Sequence, residues 1–189
     1  MGQRMFVAVV PPDDVTEHLD EFLALRRDAA SFRWAAVEQL HLTLAFLASV
    51  PDRRLDDLLE RLGVAASRRT PFATRVAGGG AFPDVARARV VYAGLALDAD
   101  ASSSLERLAA GVRTAAATSG IEIDGQRFRP HVTVARIGRP TEVSNWVRLL
   151  DAYEGPGFTV DRVALIASHL GEGPRRRPRY EVVETFPLG

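Results

Sequence analysis

The sequence contains no cysteine and no lysine, and it has no long hydrophobic run. Without cysteine, a disulfide framework, a thiolate nucleophile and a cysteine zinc site are all excluded. The 24 basic side chains are all arginine, and they balance 24 acidic ones to give a formal net charge of +0. Proteins that coat nucleic acid are strongly basic, so a nucleic-acid partner of this chain would be held by a local patch, through one end only.

The apolar segments are too short for a membrane span. The N-terminal segment 1–14 (MGQRMFVAVVPPDD) has a six-residue apolar run before two prolines and two acids, which is shorter than the core of a signal peptide. A content of 47% hydrophobic and 25% charged residues is typical of a folded globular protein. We therefore expect a cytoplasmic protein without membrane contact, folded as a single domain over 1–189.

The pattern of apolar residues predicts an α+β fold built from a repeated unit. The order strand, helix, strand, helix, strand occurs twice, with a first copy over about 4–80 and a second over about 88–189. Three consecutive glycines at 78–80 predict a bulge or a turn. Strands are expected near 4–10, 41–47, 72–78, 88–95, 130–136, 158–169 and 178–186, and helices are expected after 13, 52, 102 and 141.

One four-residue motif occurs in both copies, as HLTL at 41–44 and as HVTV at 131–134. The two histidines are 90 positions apart (131 − 41), so each copy holds one. Because side chains alternate between the two faces of a strand, the histidine and the threonine of each motif share one face. The aliphatic residues between them anchor the other face in the core.

Two such strands across a cleft would suit the opening of a cyclic phosphodiester. The reaction needs a base to deprotonate water and an acid to protonate the departing ribose oxygen, and histidine with an ordinary pKa of about 6.5 can do either near neutrality. Threonine hydroxyls can donate hydrogen bonds to the phosphoryl oxygens. We expect no cofactor and no metal, since the pattern shows no His-x-His or His-Glu-x-x-His. One His-x-Thr alone would indicate only a polar strand face; two matched copies favour the chemistry.

With its flanks, the repeated motif resembles a known family. The chain is similar to the RNA 2′,3′-cyclic phosphodiesterases of the two-histidine (HxTx) phosphoesterase superfamily, historically called 2′-5′ RNA ligases. The similar segments lie in the family's order along essentially the whole chain, at 4–12, 32–47, 82–95, 128–138 and 164–188. Val134 is the one departure from the family's motif, which usually has leucine at this position.

The resemblance implies two pseudo-symmetric lobes, each an antiparallel sheet with helices on the outside, lining a central cleft. It also implies metal-independent hydrolysis of RNA 2′,3′-cyclic phosphate ends to 2′-phosphate ends, with 2′-5′ RNA ligase activity as a side reaction. By motif position, His41 is the implied proton donor and His131 the implied proton acceptor. Thr43, Thr133 and Arg136 are the implied phosphate ligands, the last in the family's His-x-Thr-x-x-Arg form.

Arginines outside the motifs are further candidates. Arg129 precedes the second motif and is a candidate for the mouth of the cleft. Arg175, Arg176 and Arg177 form the densest basic run, in a loop with glycine and proline, and are candidate contacts for the RNA backbone. A solvated hairpin loop is the alternative for this run.

Several aromatic side chains have two interpretations. Trp34, Phe82 and Tyr92 are candidates for stacking on the terminal base, or else core aromatics. His169 near the end of a strand is expected to be structural, with a secondary place in the cleft as the alternative.

Three functional hypotheses follow. The first is the hydrolase, whose partners are RNA 3′ ends with a 2′,3′-cyclic phosphate and which has a role in RNA processing. The second is a nucleotide- or RNA-end-binding module that uses the same cleft without significant catalysis. The third keeps the fold but acts on small cyclic or 2′-5′-linked nucleotides. We expect a monomer, because one chain supplies both halves of the site.

Overall fold

The computed structural model describes residues 2–189, apart from the side chain of Arg175. Within that range, nine strands form one sheet in which every neighbouring pair is antiparallel. The strands are β1 (Gly2–Val9), β2 (Arg33–Trp34), β3 (Leu42–Pro51), β4 (Phe72–Phe82), β5 (Ala88–Ala96), β6 (Val132–Thr141), β7 (Glu154–Val160), β8 (Arg162–His169) and β9 (Arg179–Pro187). The helices are α1 (Asp13–Ala24), α2 (Asp52–Ser67), α3 (Ala99–Thr118) and α4 (Ser144–Asp151). None of these helices is long and apolar enough to cross a bilayer.

Helix α3 shows how local chemistry sets an element boundary. The carboxylate of Asp98 accepts a hydrogen bond from the backbone N–H of Ala101 at 2.7 Å, which satisfies one of the free donors of the first turn. The helix therefore begins at Ala99, and the serines 102–104, which were expected to precede it, lie inside it. Helix α4 likewise begins at Ser144, because β6 continues as far as Thr141.

The α+β class and the antiparallel strands are confirmed, but the expected pair of separate sheets is one continuous sheet. Its order is β7-β4-β5-β6-β3-β1-β8-β9, with β2 paired to β6. Strands β3 and β6 meet at a single residue pair, Leu42 with Val132. Each of these residues directly follows a motif histidine, so the junction of the two halves of the sheet brings the two motifs together.

The two halves of the sheet exchange elements along the chain. Strand β4 lies in the half that contains β5, β6 and β7, whereas β8 and β9 lie beside β1 and β3. Helix α1 packs on β7 and helix α3 packs on β3. The predicted copies over 4–80 and 88–189 therefore do not coincide with the halves of the sheet. The duplication itself stays a prediction.

The sheet curls into a half-barrel. The segment 158–169, predicted as one strand, is divided at Asp161 into β7 and β8, which pair with β4 and β1 respectively. Strand β7 is at one edge of the sheet and β8 is next to the other edge. Because a single residue separates these two strands, the two ends of the sheet must lie close together in space. One large apolar core fills the helix-covered face, and a small second cluster forms on the other face, around Phe6 and Ile166.

The three glycines form the predicted bulge. The pairing of β4 with β5 shifts between Val76 and Gly79, and Gly78 has a φ of +73°. A Cβ atom on Gly80 would collide with the hydroxyl end of Tyr92. Glycine at this position therefore lets Tyr92 lie across β4, where its ring comes within 5.4 Å of the His131 ring.

Candidate active site

A bulge in β6 places the arginine of the second motif on the same face as the threonine. Thr133 pairs with Tyr92 of β5, but the next step along β5, to Val91, is matched by a step of two residues to Ala135. The extra residue reverses the alternation of side chains. Arg136 therefore joins Thr133 and His131 on the wall of one cleft, three positions after the threonine.

Strand β3 has the same irregularity after the first motif. Its pairing with β1 skips one residue between Thr43 and Ala45, which turns Phe46 onto the face of Thr43. Phe46 thus takes the place that Arg136 holds after the second motif. The guanidinium of Arg4 lies over the Phe46 ring, 4.3 Å from its centre, so this side of the cleft also carries a positive charge.

The cleft has a volume of about 690 Å³, within the usual range of ligand pockets. It brings together the five residues predicted from the two motifs, which are His41, Thr43, His131, Thr133 and Arg136. Arg176 and Arg177 also line it. Arg129 does not line the cleft; its guanidinium lies 5.9 Å from the centre of the Phe82 ring. The side chain of Arg175 falls outside the described part of the chain.

Both histidines are held by the same kind of hydrogen bond. Nδ1 of His41 donates to the backbone carbonyl of Gln39 at 2.7 Å, and Nδ1 of His131 donates to the carbonyl of Arg129 at 2.6 Å. A carbonyl oxygen can only accept, so the proton of each neutral ring must be on Nδ1. Nε2 is therefore the nitrogen available for proton transfer in the cleft.

A phenylalanine and a tyrosine pack against each imidazole. Phe6 stacks on His41 with ring centres 4.6 Å apart, and Tyr180 meets the same imidazole edge-on at 5.5 Å. Phe82 meets His131 edge-on at 4.9 Å, with Tyr92 beside both rings. These contacts restrict the orientation of both rings. Phe82 and Tyr92 therefore support His131, and stacking on a base stays a prediction for them.

Burial lowers the pKa values of both histidines below the ordinary value. It lowers the pKa of His41 to about 4, opposed by the hydrogen bond to Gln39 and assisted by the positive charges of His131 and Arg136. Burial and Arg136 also lower the pKa of His131. Both rings are therefore neutral near pH 7 in the free protein. This corrects the expectation that ordinary pKa values keep both forms populated.

The pKa of His41 predicts a loss of stability in acid. A group with a folded pKa of about 4 and an unfolded pKa of 6.5 stabilises the fold fully above pH 6.5 and loses this contribution as the pH falls toward 4. Between pH 7 and 4.5 we expect the wild type to lose about 2–3 kcal/mol more free energy of unfolding than His41→Gln loses. Urea unfolding at the two pH values measures this difference.

The matched control is His18→Gln, because His18 is exposed on α1 and lies outside the cleft. His18 hydrogen-bonds to the Tyr153 hydroxyl at 2.9 Å, so this variant shows how much stability is lost when a histidine contact outside the cleft is removed. Equal losses of stability in the wild type and in His41→Gln would show that His41 is not buried as a neutral ring.

Gln39 connects the first His-x-Thr motif to the β8–β9 loop. Its side-chain N–H donates to the carbonyl of Pro178 at 2.9 Å, while its own backbone carbonyl holds His41. The loop that ends at Pro178 carries Arg176 and Arg177 into the cleft. Gln39 is therefore placed to position this loop against His41.

Removing this hydrogen bond should weaken substrate binding more than turnover. In Gln39→Ala we expect KM to rise about fivefold, the equivalent of about 1 kcal/mol for one hydrogen bond, with kcat changed by less than about twofold. The backbone carbonyl that holds His41 remains in this variant. Steady-state kinetics measures the changes in KM and kcat, and Gln39→Met, which keeps the length of the side chain but loses the donor, should behave like Gln39→Ala. A large fall in kcat with unchanged KM would contradict this role.

Trp34 and His169, two of the remaining candidate side chains, make contacts with other protein side chains in or near the cleft. Trp34 lines the cleft and packs against Phe32 and Trp146, with ring centres 5.5 and 4.9 Å away. His169 hydrogen-bonds to Glu181 at 3.1 Å outside the cleft wall, which supports the structural interpretation.

Sequence reasoning missed Arg4, Phe6 and Phe46. Arg4 and Phe6 alternate on β1, which would have placed both on one face. Phe46 follows Thr43 by three positions, as Arg136 follows Thr133, and this correspondence was the available signal.

Comparison with known proteins agrees with this site. A family model for the 2′-5′ RNA ligase superfamily matches residues 11–172. The chain belongs to this superfamily. An RNA 2′,3′-cyclic phosphodiesterase of Thermus thermophilus is 33% identical over 190 residues, covering 98% of this chain and 90% of the relative. The resemblance to RNA 2′,3′-cyclic phosphodiesterases is thereby confirmed.

Other members of the superfamily are also similar to this chain over nearly its whole length. An RNA 2′,3′-cyclic phosphodiesterase of Geobacillus stearothermophilus is 28% identical over 97% of this chain, which spans only 56% of that relative's length. The crystal structure of Escherichia coli LigT complexed with 3′-AMP has a TM-score of 0.80 and 26% identity, covering 100% of this chain and 99% of that one. The same E. coli protein has also been solved with ATP and with NADP+.

Proposed function

We propose that this protein hydrolyses RNA 2′,3′-cyclic phosphate ends to 2′-phosphate ends by histidine acid–base catalysis. The observation that carries the proposal is the matched pair of histidines in one cleft, each with Nδ1 bound to a backbone carbonyl and Nε2 available. A pair of this kind suits one acid and one base on opposite sides of a phosphorus atom. The superfamily relatives named as RNA 2′,3′-cyclic phosphodiesterases support this choice of substrate.

In the proposed reaction, Nε2 of His131 accepts a proton from water as the water oxygen attacks phosphorus. The bond between phosphorus and the 3′ oxygen breaks, and His41 donates its Nε2 proton to that oxygen. The product keeps its phosphate on the 2′ oxygen. Thr43, Thr133 and Arg136 hold the phosphoryl oxygens, where negative charge gathers in the transition state. Among the described atoms, which exclude the side chain of Arg175, neither threonine hydroxyl has a hydrogen-bond partner.

Because the pKa of His41 is low, the bound substrate must help to protonate this histidine. His41 is neutral in the free protein near pH 7, since its pKa is about 4. The negative charge of a bound phosphodiester favours the protonated ring and raises that pKa. Once protonated, a buried imidazole surrounded by positive charge is a strong acid toward the departing oxygen. His131 is already neutral, as a base must be.

The finer features of the site belong to the same proposal. The two halves of the sheet act as pseudo-symmetric lobes, each supplying one histidine and one threonine. Arg176 and Arg177 contact the RNA backbone. Joining of a 2′,3′-cyclic phosphate end to a 5′ hydroxyl is the same ring opening with that hydroxyl attacking phosphorus in place of water and the 3′ oxygen leaving, which makes 2′-5′ ligation a side activity.

The deciding experiment uses a short RNA that ends in a 2′,3′-cyclic phosphate, incubated with the protein in EDTA. Conversion to a 2′-phosphate end, distinguished from the isomeric 3′-phosphate end by chromatography against both standards, is the expected result. Formation of a 3′-phosphate would contradict the assignment of the leaving oxygen. Tight binding of the RNA without conversion would favour a nucleotide-binding module, a function for which ATP and NADP+ in the E. coli relative offer a precedent. Faster hydrolysis of a 2′-5′-linked dinucleotide would identify a different substrate.

A further inference from the structure

Two arginines lie directly opposite each other on the cleft wall. Arg33 of the short strand β2 is the Cα partner of Arg136 on β6, in antiparallel register. Side chains at such positions lie on the same face with neighbouring Cβ atoms, and both arginines line the cleft. Like charges directly opposite each other destabilise a pair of strands, so this arrangement is unfavourable unless bound anions offset the two charges.

The described residues supply no anion for this pair. Neither Arg33 nor Arg136 forms an ion pair with a described carboxylate, and the residues that line the cleft include five arginines but no aspartate or glutamate. Just outside the cleft, by contrast, Arg179 pairs with Glu172 and Glu181, each at 3.0 Å. The chain therefore neutralises an arginine beside the cleft and leaves those within it for a ligand.

Strand β2 is built to hold Arg33 in place. Although it has only two residues, its Trp34 packs against Phe32 and against Trp146, and the indole N–H donates to the carbonyl of Ala30 at 3.3 Å. The backbone N–H of Ala35 then donates to the carbonyl of Val134 at 2.9 Å. These contacts fix the strand beside β6, so Arg33 is presented from a rigid element.

One reacting phosphodiester carries a single negative charge, and Arg136 together with the two threonines is already assigned to it. We infer that Arg33 binds a second phosphate, the internucleotide phosphate that precedes the terminal nucleotide. The planar guanidinium suits a phosphate because it can donate two hydrogen bonds at once. The inference rests on the proposed function and narrows its substrate class to RNA of two or more nucleotides. Phe32 and Trp34 next to Arg33 provide apolar surface for the preceding nucleoside.

The test compares three substrates. These are adenosine 2′,3′-cyclic phosphate, the dinucleotide ApA ending in a 2′,3′-cyclic phosphate, and the same dinucleotide with an uncharged methylphosphonate linkage. For the wild type, we expect kcat/KM to be about tenfold higher for the charged dinucleotide than for the other two, as one charge-assisted contact predicts. In Arg33→Gln this preference should fall to about twofold or less, and Arg33→Lys should restore part of it.

The matched control is Arg139→Gln, an exposed arginine of β6 that does not line the cleft, which should keep the preference. A proportional loss on all three substrates in Arg33→Gln would indicate a structural role and overturn the inference. Hydrolysis of all three at equal rates by the wild type would overturn it as well. Absence of hydrolysis by the wild type would instead refute the proposed function, and this inference with it.

Discussion

Replacing either His41 or His131 by alanine is expected to lower kcat by about 10³-fold while leaving the fold intact. Each ring is the only described side chain on its side of the cleft with a free nitrogen able to transfer a proton, and positioned acids or bases typically contribute 10²- to 10⁴-fold. The double variant should be little slower than either single one, because acid and base act in one concerted step. Single-turnover hydrolysis of a cyclic-phosphate RNA measures the chemical step directly.

The chain offers a matched control for these variants. His18 is exposed on α1, away from the cleft, and His18→Ala should keep the wild-type rate. Circular dichroism and urea unfolding of all variants separate a catalytic loss from a loss of folding. If either catalytic variant kept a rate within about tenfold of the wild type, the assignment of acid and base would be wrong for that residue.

The second large effect is expected for Arg136→Gln. This change removes a guanidinium from the site where charge develops, so kcat/KM should fall by about 10²-fold, as for the loss of one donor to a developing oxyanion. Because the charge of Arg136 lowers the pKa values of His41 and His131, both values should also rise in the variant. Kinetics measures the first change, and NMR titration of the imidazole Cε1–H signals measures the second.

Two further variants sharpen this prediction. Arg136→Lys keeps the charge but loses the bidentate hydrogen bond. The pKa values of the two histidines should therefore return closer to those of the wild type than kcat/KM does. Arg139→Gln, on the same strand but outside the cleft, should change neither. A normal rate in Arg136→Gln together with raised histidine pKa values would mean that Arg136 acts on the histidines alone and does not bind phosphate.

The two motifs show which side-chain orientations strand periodicity predicts correctly and which it does not. Alternation correctly placed each histidine with its threonine on one face, and Leu42 and Val132 are buried on the other, at 2% and 1% exposure. The same rule places Arg136 on the wrong face, because it lies an odd number of residues after His131. Only the bulge in β6 turns it into the cleft, and a bulge depends on the pairing with β5, which local sequence does not specify.

The neighbours of the histidines were equally dependent on long-range pairing. Phe6 stacks on His41 because β1 pairs with β3, and Tyr180 joins them because β9 lies beside β8 at the end of the chain. The sequence predicts base stacking for Trp34, but it gives no sign of the adjacent Arg33, because only the pairing of β2 with β6 places Arg33 opposite Arg136.

The sequence alone establishes the chemical groups available to this protein: two imidazoles, two hydroxyls and many arginine side chains, without thiols. It also determined which residues alternate together, because side-chain direction along a strand is a local property. Tertiary structure alone decided that the motifs meet at Leu42 and Val132, that burial lowers the pKa of His41 to about 4, and that Arg33 faces Arg136. These depend on strand register and desolvation, which arise from contacts between residues far apart in the chain.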